Sequence, residues 1–198
     1  SFTALCQGGV NFEQLTFDEA LSKAKAENKL VFMDCYTTWC APCKYMADNV
    51  FPREEAGEFF NPKFVSVKFD MENGEGKELA QKFGVRAYPT FLIIRPDGSV
   101  QHRIVGGVNL DKFIEIAERG LNVKTSFDYL DRLHEKGKMN KKQLISYQIA
   151  LNDAYEEEKS NKVAQELKSI LKEKDKMQKE YWPILEKESF GSDGFKLV

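Results

Sequence analysis

What the 198-residue chain lacks narrows it first. No apolar run approaches the roughly 20 residues that a membrane helix needs, so a spanning segment is not expected. Neither sign of charge is in excess. The 29 Lys and Arg residues stand against 31 Asp and Glu, a formal net charge of −2, which leaves no basic footprint for nucleic acid. Histidine is scarce: His102 and His134 are each alone in their stretch and are expected to be structural or solvated. Cysteine is scarce too, with Cys6, Cys35, Cys40 and Cys43. Only the last two have a functional spacing, and with no second pair a four-ligand structural zinc site is not expected. No metal or organic cofactor is expected. The rest is 42% apolar and 30% charged, which suits a globular chain of one or two domains with an adequate core.

What is present centres on Thr38-Trp39-Cys40-Ala41-Pro42-Cys43-Lys44. The apolar run Leu30-Val31-Phe32-Met33 leads in, and a helical pattern of Met46, Val50 and Phe51 leads out, so the cysteines sit where a strand hands over to a helix. Unpaired N–H groups and the dipole at a helix start favour a thiolate on Cys40, expected to be the exposed, attacking thiol. Cys43, one turn on, faces back as the more buried resolving thiol. Asp34 lies in the continuous run Val31-Phe32-Met33-Asp34-Cys35-Tyr36, where burial raises a carboxyl's pKa and fits it to accept a proton from Cys43; an edge position in water is the alternative. Trp39 reads as a surface cover beside the sulfurs. Cys35, Met33, Met46 and Met71 read as packing.

This stretch resembles the thioredoxin family, and the resemblance runs over roughly residues 15 to 121. Asp34 stands six residues before Cys40, where that family carries a buried acid. Lys68, in Val67-Lys68-Phe69-Asp70, matches a lysine that pairs with the acid, although a solvated strand lysine fits equally well. Tyr88-Pro89-Thr90 matches the family's cis-proline loop, and Gly106 falls where a glycine follows the last strand. The resemblance implies an α/β thioredoxin fold, a central mixed sheet flanked by helices. It implies a thiol–disulfide oxidoreductase that reduces protein disulfides, with electrons drawn from a partner reductase. Trp39, Tyr88, Pro89 and Gly106 would bind substrate, with the Tyr88 backbone pairing with an extended segment. Tyr88 departs from the aliphatic residue common before this proline, and Ala41 from the usual glycine. The alternative is a thioredoxin-fold binding or scaffold module whose helical extension docks a partner.

Taken in order, residues 1–14 read as a loose leader. Ser1 to Gly9 could be the end of an export signal, which places the protein in the periplasm or otherwise outside the cytoplasm, with a cytoplasmic location as the alternative. Thr16 and Glu19 mark a helix start, and helical spacing continues to about Asn28. Strands are expected at Leu30 to Tyr36, Phe64 to Phe69, Thr90 to Ile94 and Val100 to Val105, with a hairpin turn at Arg95-Pro96-Asp97-Gly98-Ser99. Helices are expected at Ala41 to Phe51, Glu75 to Phe83 and Leu110 to Leu121, with a helical turn at Glu55 to Phe60. Residues 15–121 form the thioredoxin-like domain and 122–198 an all-α extension of three or four antiparallel helices. Its breaks are expected at Gly137 and at Glu158-Lys159-Ser160-Asn161. The aromatic pair Tyr181-Trp182 before Pro183 points to a docking module; the alternative is that all the aromatics of this segment pack and that it only stabilises the domain.

Overall fold

The computed structural model describes residues 8–172. Cys6, the Tyr181-Trp182-Pro183 motif and the loop at Phe190 to Gly194 lie outside the described residues. The chain divides into two compact units between Val123 and Lys124.

The first unit begins with helix α1, Phe17–Glu27. Thr16 accepts from the Glu19 N–H while the Glu19 carboxylate takes the Thr16 N–H, the reciprocal cap that the sequence predicts. Asn28, with φ of 54°, turns the chain out of the helix into strand β1, Leu30–Tyr36. The next elements are α2 (Ala41–Tyr45), α3 (Glu54–Phe60), β2 (Phe64–Asp70) and α4 (Gly76–Lys82), followed by β3 (Thr90–Ile94), β4 (Val100–Val105) and α5 (Leu110–Leu121). The sheet order is β2-β1-β3-β4, with β1 parallel to β2 and antiparallel to β3. This is the mixed sheet flanked by helices that the sequence resemblance implies.

Strand β1 is central and buried on both faces, so its side chains alternate between two cores. Val31, Met33 and Cys35 join Phe17, Ala20, Ala24, Leu79 and Phe83 on the α1/α4 side. Phe32 points the other way, into an aromatic core with Phe51, Phe60, Phe64, Phe91 and Phe113. Asp34 shares the face of Phe32, which aims it at the helices following the cysteines.

Two expectations need correction here. The helix after the cysteines is not one α-helix to Phe51. After α2 it widens into a π-helical turn, Met46–Val50, closed by the Phe51 N–H donating to Met46 O at 2.9 Å. The wider turn lets Met46, Val50 and Phe51 all enter the aromatic core. The stretch read as a loose leader is tied down from Gly9 onward. Val10 N donates to Phe51 O and Glu13 N to Ser66 O, both at 2.8 Å, and Phe12 packs 5.0 Å from the Phe51 ring. Gly9 and Gly57 permit this: a Cβ on Gly57 would sit 2.4 Å from Gly9 O.

The second unit contains helices α6 (Phe127–Glu135), α7 (Lys141–Asp153) and α8 (Glu157–Ile170) around Leu130, Leu144, Tyr147, Leu151, Val163 and Leu167. Gly137, with φ of 62°, breaks the first pair as expected. The second break is not at Glu158-Lys159-Ser160-Asn161, which lies inside α8. It is at Tyr155, with φ of 58°. There Tyr155 N donates to Asn152 O and Glu156 N to Leu151 O, the paired closure of a left-handed helix cap. Tyr155 itself is 66% exposed.

Candidate redox site

Cys40 is the N-cap of α2, and the backbone N–H of Cys43 donates to its sulfur at 3.1 Å, the place a serine or aspartate oxygen takes at an ordinary helix start. The two sulfurs are bonded, with Cα atoms 5.3 Å apart. A thiolate formed at Cys40 on reduction inherits that N–H and the positive end of the helix dipole. The expected contrast in exposure is absent in this oxidised state: Cys40 is 3% exposed and Cys43 7%. Cys43, not Cys40, lines a recess of about 270 Å³ together with Asp34, Tyr36, Lys44, Ala47 and Lys68.

Asp34 is buried, and its Oδ1 has no hydrogen-bond partner among the described residues. Burial raises its pKa to about 7, against a partial opposing pull from the charge of Lys68. Lys68 is its register partner on β2, on the same face and lining the same recess. The lysine is exposed; its Nζ lies 5.8 Å from the Phe12 ring centroid, so it acts on Asp34 through charge across the recess. Cys35, on the opposite face, is sealed in the core, where burial pushes its thiol pKa well up and removes it from exchange chemistry.

The aromatic side of the site is built by the β1–α2, β2–α4 and α4–β3 loops, which carry Trp39, Glu72 and Tyr88. The Tyr88–Pro89 peptide is cis, and Gly106, with φ of 96°, donates its N–H to Pro89 O at 2.9 Å. The neighbouring Gly107 lies against the start of α2, where a Cβ would come within 3.2 Å of Pro42 O. Trp39 is 64% exposed, with its ring edge-on to Tyr88 at 6.0 Å and its Nε1–H donating to Glu72 Oε2 at 3.0 Å. Asp34, Lys68 and Cys43 therefore meet in one recess, Trp39 and Tyr88 meet at the rim, and Pro89 and Gly106 meet through the backbone. The sequence reading missed Lys44, whose only signal was its place after Cys43, and Glu72, whose only signal was an acid in the loop after β2.

The comparisons with known proteins agree with this geometry. The family model described as a thioredoxin-like domain matches residues 17–121. The chain is 42% identical over 90 residues to a thioredoxin H-type of Oryza sativa subsp. indica, a match covering 46% of this chain and 68% of that protein. It is 32% identical over 99 residues to the thiol:disulfide interchange protein DsbD of Pseudomonas fluorescens, covering 48% of this chain but 17% of that one. Among solved structures, that of a candidate disulphide-isomerase from Bacteroides thetaiotaomicron superposes with a TM-score of 0.54 at 44% identity, covering 58% of this chain and 95% of that one. With a joined Cys40–Cys43 pair at the head of a helix on this sheet, the chain belongs to the thioredoxin-like family of thiol–disulfide oxidoreductases.

Proposed function

We propose that the protein reduces disulfides in protein substrates. The Cys40 thiolate attacks one sulfur of the substrate disulfide, and the other substrate sulfur leaves as a thiolate. Cys43 then gives its proton to Asp34 and attacks the Cys40 sulfur of the mixed disulfide, which releases the second substrate thiolate and closes the Cys40–Cys43 bond. A partner reductase returns two electrons and restores the dithiol. Asp34 carries this reading: a buried carboxyl with a pKa of about 7, sharing a recess with Cys43, is suited to take and release a proton near neutrality. Lys68 tunes it by charge. Trp39, Tyr88, Pro89 and Gly106 form the surface on which an extended substrate segment lies.

The separate core of the helical unit supports a second reading, in which the thioredoxin-like unit is a binding module and the extension of residues 122–198 docks a partner. Insulin precipitation by dithiothreitol separates the two. A reductase at micromolar concentration shortens the lag before turbidity appears, and Cys40→Ser abolishes that effect. A lag unchanged by the native protein leaves the binding module.

A further inference from the structure

Glu72 is held in place. Met71, before it, is buried and donates its N–H to Tyr36 O at 2.9 Å. Asp70 accepts from the Glu72 N–H at 3.0 Å and from the Asn73 side chain at 2.8 Å, which fixes the turn. The Glu72 carboxylate thus braces the exposed Trp39 ring, one residue from Cys40, at an angle to Tyr88, one residue from Pro89. Neither Asp70 nor Glu72 is ion-paired among the described residues. Both carboxylates act on Tyr88: its phenol pKa is raised by burial first, then by Glu72, the Cys35 thiol and Asp70. The two lysines near the cysteines, Lys44 and Lys68, line the Asp34 recess, whose lining includes neither Trp39 nor Tyr88. The group that meets at this rim, Trp39, Tyr88 and Glu72, is therefore aromatic and acidic, with exposed Arg86 two residues before Tyr88 in the same loop.

We infer that Trp39, Tyr88 and Glu72 select disulfides flanked by a lysine or arginine. The inference rests on the proposed reduction of protein disulfides at Cys40. The substrate cation lies against the angled ring faces, whose π-electrons attract it, and within reach of the Glu72 and Asp70 charges. An acid at the same position meets two carboxylates and an electron-rich ring. Discrimination is expressed in kcat/KM, since the contact is made as the substrate docks.

Single-turnover reaction of the pre-reduced full chain tests this without any external reductant, because two protein thiols convert one peptide disulfide into two peptide thiols. The probes are three disulfide-bonded peptides identical but for Arg, Gln or Glu beside the cysteine. The reaction is acid-quenched, alkylated and resolved by mass. The Arg peptide is expected to react about tenfold faster than the Glu peptide at low salt, with Gln between them and the ratio shrinking as salt is added. Glu72→Gln keeps an acceptor for the Trp39 indole but removes the charge, and brings the ratio to about threefold or less. Trp39→Phe, which cuts back the substrate surface itself, lowers all three rates but the Arg rate most, so the Arg-to-Gln ratio falls toward one. Equal rates for the three peptides, or a faster Glu peptide, overturn the inference while leaving disulfide reduction intact. Failure to reduce even the Gln peptide overturns the underlying reading instead.

Discussion

Replacing Asp34 with Asn should change how stability depends on pH, and the size of the change follows from burial. In the folded protein the Asp34 carboxyl holds its proton up to about pH 7, against a model value of 3.8. Below pH 3.8 it is protonated in both folded and unfolded chains and contributes nothing. Between the two values the unfolded chain releases a proton that the fold retains, so folding becomes less favourable as pH rises. Above pH 7 the penalty is complete. Three pK units at about 1.4 kcal/mol each give a loss of about 4 kcal/mol. His102 works in the opposite direction. It is buried against α5, and burial, then the Arg119 charge, hold its pKa at about 3 against 6.5. The unfolded chain takes up a proton below pH 6.5 that the fold refuses, and stability falls as pH drops. From pH 4 to 6.5 the two slopes oppose, and the native protein should show little net dependence from this pair. In Asp34→Asn only the histidine slope remains, so stability climbs with pH. The measurement is urea unfolding of the oxidised protein at intervals from pH 4.5 to 8. The quantity read is the variant-minus-native difference at each pH, in which the fixed cost of burying an amide cancels along the series. That difference should grow by about 3 to 4 kcal/mol across the range. Parallel native and variant curves would refute the claim that burial holds the Asp34 proton.

Other outcomes are open to direct measurement. Cys40 should be the first thiol of the reduced protein to react with iodoacetamide, and Cys43→Ser should accumulate mixed disulfides with substrates, seen as a mass shift that dithiothreitol reverses. Equilibration with glutathione should return a potential near the −270 mV or so of thioredoxin and far from the roughly −120 mV of a strong periplasmic oxidant, because neither Ala41 nor Pro42 can add positive charge to hold a thiolate. Truncation after Leu121 should leave insulin reduction in place while a Cys43→Ser trap loses its natural partners; unchanged capture would make residues 122–198 structural.

Where local chemistry decides the structure, the sequence was legible. Thr16 and Glu19 announce their helix because a hydroxyl and a carboxylate three residues apart can serve each other's N–H groups. The cysteine pair announces its site because a helix start holds residues three apart within bonding distance. What stayed hidden was decided at long range or against local preference. The π-helical turn at Met46–Val50 answers to an aromatic core assembled from distant segments. Residues 9–14 show no period of their own because Phe51, Asn61 and Ser66 dictate their path. The α7–α8 break escaped notice because a tyrosine, not a glycine, adopts the left-handed conformation that closes α7, while the polar run Glu158 to Asn161 supplies the first turn of the next helix. Glu72 stayed hidden because an acid in a loop looks solvated until its indole partner, 33 residues away in sequence, is known.

The chemistry of the site depends on the parity of one strand. Val31, Met33 and Cys35 face the α1/α4 core, whereas Phe32 and Asp34 face the helices that follow the cysteines. Lys68 pairs with Asp34 in register and on the same face, so the same alternation brings its charge to the recess. A slip of one residue would place the Cys35 thiol under Cys43 and drive the Asp34 carboxyl among Phe17, Val67 and Leu92, with neither a lysine nor a recess beside it. The apolar residues around Asp34 therefore have two jobs. They fix the register, because Val31, Phe32 and Met33 are each fully buried and none can be turned to solvent cheaply. They also strip water from the carboxyl that this register turns toward the recess lined by Cys43, which raises its proton affinity; under the proposed mechanism this lets the carboxyl take and return a proton within one cycle.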